Sequence, residues 1–185
     1  MVAFVPAEQP GDERGAFLNF LQVQREAVVR AAFGLTDEQA SGRPSVSALS
    51  LAGLIKHLAE AELNWLRLAQ QRPNERQSTE ADWEDGFRLV GDETVAGVVA
   101  FWQGVAAETE EFVRSVPSLG DTFPLPPAPW FPADTRVSVR WMLLHLLEEL
   151  ARHAGHADII RESLDGKGSY ELIEREAAAR TATAG

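Results

Sequence analysis

The 185-residue chain has no cysteine, a single tyrosine, and only two lysines, Lys56 and Lys167. Without thiols there is no disulfide framework and no cysteine nucleophile, and a metal site would have to use imidazole, carboxylate or water. Long apolar runs are missing as well. No segment reaches the ~18 consecutive apolar residues that a membrane-spanning helix needs, and the opening MVAFVPAEQPGDERG lacks the basic start and apolar stretch of a secretory signal. The expectation is a cytoplasmic, soluble protein with no membrane partner. Positive charge is scarce: 17 basic against 28 acidic residues give a formal net charge of -11. A surface field of that sign repels phosphate backbones, so nucleic acid is not an expected partner.

Convincing strand alternation is also absent, and helical periodicity takes its place. Residues 12–34 set Phe17, Leu21, Val28 and Phe33 at helical spacing and end near Gly34. Residues 36–50 read as a linker with Ser47 and Ser50 as helix caps. A second helix follows over 51–71, with Leu54, His57, Leu58, Ala61, Trp65 and Leu68 on one face, so that His57 points inward or lies at the edge of the buried stripe. Residues 72–92 are polar, with Trp83 and Phe87 as isolated apolar anchors, and read as a loop with one short helix.

A third helix covers 92–116, capped by Asp92 and stopped by Pro117. The following stretch, SLGDTFPLPPAPWFPADT, is too rich in proline for a regular element and reads as a crossover pinned by Phe123, Trp130 and Phe131. A fourth helix spans 137–164 and is closed by Asp165 and Gly166, and a shorter one lies around 170–180. Four long helices with one long crossover predict an all-α four-helix bundle, with residues 1–185 forming one domain.

Three of the four histidines lie in the fourth helix, VRWMLLHLLEELARHAGHADIIRESLDG. With His145 as the origin of a helical wheel, His156 falls near ~20°, Glu149 near ~40° and His153 near ~80°, among Met142, Leu146 and Ile160. Polar groups in an apolar sector need each other, another partner or a cation, because burying them alone costs several kcal/mol. A lone histidine on such a face is more often a hydrogen-bonded core residue, and for His57 by itself that reading suffices. All four histidines and a carboxylate on just two helices favour a metal. Glu149 and His153, four residues apart, can reach one ion, and His57 from the facing helix would complete a three-ligand set with a position left for water or substrate. Zinc is the first choice, and nickel, iron or manganese could occupy the same donors. His145 and His156 remain open as supporting groups around the ligands, as substitute ligands or as core.

Other conspicuous side chains read more simply. Trp65, Trp102 and Trp141 have core spacing, which favours packing over a ligand cage. Arg152 could meet an anionic substrate, or pair with Glu148 or Glu149. Asp158, Arg161, Glu162 and Asp165 are explained by local ion pairs and capping.

The segments SLAGLIKHLAEAELNWL and SVRWMLLHLLEELARHAGHADIIRESLDG resemble the DinB-like (YfiT-like) superfamily of metal-binding four-helix bundles, and look closest to its DUF664 branch. Many members carry one histidine on the second helix and a His-x3-His pair on the fourth. Here Glu149 stands in the first position of that pair, as in the bundle domain of the mycothiol-dependent maleylpyruvate isomerases. The resemblance implies metal ligands His57, Glu149 and His153. It also implies thiol-dependent S-transfer or isomerisation, with a low-molecular-weight thiol of the mycothiol type as cosubstrate. A cysteine-free chain is compatible with thiolate chemistry when the thiol comes from outside. The alternative is a non-catalytic metal-binding or stress-response bundle. An apolar face left over after core packing would favour a homodimer.

Overall fold

In a computed structural model, residues 4–74, 85–129 and 131–183 are described. Trp83 and Trp130, expected as anchors, lie outside them. Helix α1 (Glu13–Ala31) starts where the Asp12 carboxylate accepts the Gly15 N–H, and Gly34 at φ +75° turns the chain away after it. The expected linker contains a four-residue helix, α2 (Asp37–Ala40), closed at its start by a reciprocal pair: Gln39 N–H to the Thr36 hydroxyl and Thr36 N–H to the Gln39 side chain. Ser50 caps α3 (Leu51–Gln70) through the Gly53 N–H, whereas Ser47 serves only a local turn to Leu49.

A single 3-10 turn at Asp85–Phe87 follows, then α4 (Val95–Ser115). Its cap is Thr94, not Asp92. Thr94 has the extended backbone of a cap and stands three residues before the Gly97 N–H it accepts, while Asp92 lies in the turn ahead. The crossover also differs from expectation. It returns on itself as a two-stranded antiparallel ribbon, β1 (Thr122–Pro124) and β2 (Arg136–Ser138), with Phe123 opposite Val137. Three residues per strand are too few for alternation to show in a sequence, and Pro124 fits because the ribbon is all edge. Phe123, 2% exposed, pins the ribbon to the core as anticipated.

Ser138 ends β2 and caps α5 (Val139–Asp165) through the Trp141 N–H, and Gly166 at φ +78° ends the helix. Helix α6 (Ser169–Thr183) lies on α1, where Leu172 is buried and Arg30 Nε donates to Glu176. The four long helices form the expected bundle: α5 packs on α1 and α3, and α3 packs on α4. Leu21, Val28, Leu54, Ile55, Leu58, Met142, Leu143, Leu146 and Leu150 meet in its core. On α3 the most buried positions run through Ile55, Ala59, Glu62 and Leu66, rotated from the expected face, so His57, Ala61 and Trp65 lie on the seam beside α5. Among the described residues no helix is long and apolar enough to cross a membrane.

Candidate metal centre

Helices α3 and α5 run antiparallel along this seam. The His57 ring meets the His153 ring edge-on with centroids 5.2 Å apart, and eight residues later on α3 Trp65 meets His145, eight residues earlier on α5, at 4.7 Å. Extending the same register places Ala61 opposite Glu149. A methyl group there leaves space between the helices.

Around that space stand His57, Glu149 and His153, with one donor atom from each lying within 4.8 Å of the others. His153 Nε2 is 3.6 Å from Glu149 Oε2, and the two side chains are 12% and 27% exposed, so the group opens to one side. A tetrahedral zinc ion with ligands at about 2.0–2.2 Å would bring donor atoms to roughly 3.4 Å apart. Side-chain rotation of about an ångström would close the three around such an ion. The chemistry fits too, since two imidazole nitrogens and one carboxylate oxygen form an ordinary divalent-metal donor set with a position left over.

Burial, reinforced by the neighbouring His153, lowers the His57 pKa to about 4, so its imidazole is neutral with a free lone pair at neutral pH. The His153 pKa is lowered mainly by burial; Glu149 opposes that shift, and His156 and Arg152 add to it. His156 is not part of the group. Its Nδ1 lies 3.2 Å from Nδ1 of His153, a contact in which one nitrogen carries the proton and the other accepts it. That contact engages the far nitrogen of His153 and leaves Nε2 facing Glu149, the supporting role open to His156 from its position on the helix. His145 lies two turns away against Trp65 and Trp141, so it does not join the three as a substitute ligand. Arg152 pairs with Glu148 at 2.9 Å on the exposed face.

Two features of the structure, one at the site and one in the core behind α3, have no signature in the sequence. Phe87, expected only as an apolar anchor, stacks on His57 with centroids 4.2 Å apart and planes 18° from parallel. It reaches that position because α3 has a glycine beneath it: a Cβ on Gly53 would lie 2.0 Å from the Phe87 carbonyl oxygen. The segment after the turn is tied to α3 by Lys56, whose Nζ donates to Glu93 Oε2 at 2.7 Å. Gly53→Ala must therefore lift the turn off the helix. Overpacking costs about 1–3 kcal/mol, against about 1 kcal/mol gained in helix propensity. The expected result is a lower melting temperature together with loss of the ring-current shift on the His57 imidazole protons in NMR. Wild-type stability with an unmoved resonance would contradict the contact.

The second feature is a buried network around Glu62. Arg25 Nε and Nη2 donate to its two oxygens at 2.9 and 2.6 Å, Trp102 Nε1 donates at 2.9 Å and the Thr109 hydroxyl at 2.8 Å. Trp102 is thus a core residue, as its spacing suggests, with a polar partner that spacing could not show.

The comparisons agree with this architecture. A crystal structure titled as the conserved protein of locus from Enterococcus faecalis superposes with a TM-score of 0.66 at 16% identity, covering 84% of this chain and 98% of that one, which speaks for the fold alone. No match is found among curated proteins. The profile of the family described as Mycothiol-S-transferase matches residues 16–166, a span from the first helix to the glycine that ends α5. The chain belongs to this DinB-like family of mycothiol S-transferases.

Proposed function

We propose that His57, Glu149 and His153 bind a divalent cation, zinc by preference, and that the protein transfers a low-molecular-weight thiol of the mycothiol type to an electrophile. The observation that carries this reading is the convergence of the three donor groups on the open side of the α3–α5 seam. Family membership supplies the thiol class. A cation held by these three residues would act as a Lewis acid and would lower the proton affinity of a thiol sulfur bound to it.

The chain's own groups prepare that position. Two neutral imidazoles and one carboxylate neutralise only one unit of a dication's charge, so the site keeps a net attraction for an anionic sulfur. His156 fixes which nitrogen of His153 faces inward. Phe87 covers one face of His57 and keeps water from it. The sequence has no cysteine, so no thiolate of the chain itself competes with the incoming thiol.

The test is turnover of iodoacetamide by metal-loaded protein with mycothiol. Thiol consumption above the uncatalysed rate is expected only when both metal and mycothiol are present, and it should fall by at least about a hundredfold after the metal is stripped. Equal rates in stripped protein, or no turnover with mycothiol at saturating zinc, would contradict the reading.

A further inference from the structure

The same seam carries an aromatic corner that metal binding does not use. Trp141 and His145 lie one turn apart on α5 with ring planes 9° from parallel and centroids 5.2 Å apart. From α3, Trp65 closes the corner, tilted 57° to Trp141 at 5.5 Å and edge-on to His145 at 4.7 Å. Core spacing suggested simple packing for all three bundle tryptophans, and Trp102 obeys it at 2% exposed. Trp141 does not, at 37% exposed, and Trp65 is only half-buried. An indole held open to solvent beside another aromatic wall is a surface that a flat, conjugated ligand covers well.

Its position gives the corner a purpose. Trp141, His145, Glu149 and His153 follow one another at four-residue steps along α5, so the corner begins about 6 Å along the helix from Glu149 and extends to about 12 Å. A ring seated there would lie beside the open side of the donor group, within reach of a sulfur held at that group.

We propose that the Trp65–Trp141–His145 corner binds the electrophilic cosubstrate, and that this cosubstrate is a planar, conjugated or aromatic molecule. The proposal rests on the thiol-transfer reading for its chemistry. With an aryl halide, the sulfur forms a bond to the ring carbon that carries the halogen, the carbon–halogen bond breaks, the halide leaves with the bonding pair, and the thiol proton passes to solvent.

The test compares kcat/KM for 1-chloro-2,4-dinitrobenzene with that for iodoacetamide, each with mycothiol and zinc-loaded protein. One aromatic stacking contact is worth about 0.5–1.5 kcal/mol, or roughly two- to tenfold. The aromatic-to-aliphatic ratio should therefore fall by that factor in Trp141→Ala and again in Trp65→Leu, recover in Trp141→Phe, and stay at the wild-type value in Leu144→Ala, which alters an exposed residue outside the corner. An unchanged ratio in both tryptophan variants would overturn the proposal.

Equilibrium dialysis with the unreactive N-methyl-2,4-dinitroaniline gives a readout that needs no turnover. Saturable binding weakened by Trp141→Ala supports the corner as a ligand site even if no thiol transfer is found, in which case only the transfer reading falls. Absence of binding, or binding indifferent to both tryptophans, would overturn the corner while leaving thiol transfer to its own test.

Discussion

Glu62→Ala is expected to destabilise the protein by about 3–5 kcal/mol, because it leaves a buried guanidinium without its counter-charge. Arg25 is 7% exposed and Glu62 1%, so water cannot replace the lost carboxylate without opening the core. The indole N–H of Trp102 and the hydroxyl of Thr109 lose their acceptor in the same step. In a chain of this size each kcal/mol moves the melting temperature by about 2–4 °C, so a fall of roughly 10 °C should appear in thermal denaturation. Glu62→Gln keeps the shape and one acceptor oxygen, so it should cost less than Glu62→Ala. A change below about 1 kcal/mol in Glu62→Ala would mean that the network contributes little and that apolar packing alone joins α1, α3 and α4.

His153→Ala should behave in the opposite way, with little effect on the metal-free fold and a large effect on metal binding. The side chain is half-buried at an open seam, so its removal leaves no sealed cavity. In the proposed site it is one of three donors, and losing it should lower zinc affinity by more than the ~10–100-fold typical of removing an outer hydrogen-bond partner. His156→Ala removes such a partner and should fall within that smaller range. Competition with a chromophoric chelator measures both. Equal affinities in wild type, His153→Ala and His156→Ala would mean that the metal, if bound, sits elsewhere.

Reading the helices needed only local information, and the reading succeeded where a single periodic pattern dominated. The α5 histidines show why. Four-residue steps place Glu149 and His153 on successive turns whatever α5 packs against, and the pairing with His57 follows once α3 lies alongside. The fate of the other two histidines depends on contacts that no wheel contains. His156 turns to His153, and His145, which is nearer the middle of the apolar sector, turns to two tryptophans. Trp141 illustrates the same limit. Its spacing is that of a core residue, yet α5 packs chiefly on α1 and α3, and the indole stands 37% exposed beside Trp65 of α3.

Elsewhere the missed features are tertiary or very short. Gly53 looks like a weakness in an apolar helix, and its use is visible only when the carbonyl of Phe87 is seen resting on it. Glu62 looks like a solvated charge until Arg25 arrives from 37 residues away. The Asp92 and Thr94 choice turned on which oxygen stands three residues before a free N–H, a distinction of two positions. The ribbon of β1 and β2 is shorter than any period that could announce it.

The central claim is that three side chains on two helices hold one cation, and metal content tests it most directly. Protein purified without chelator or nickel resin should carry about one divalent metal per chain by elemental analysis, and a His57→Ala/His153→Ala variant that melts as a folded protein should carry close to none. Negligible metal in the wild type after zinc addition and desalting, or the same content in both proteins, would contradict the account.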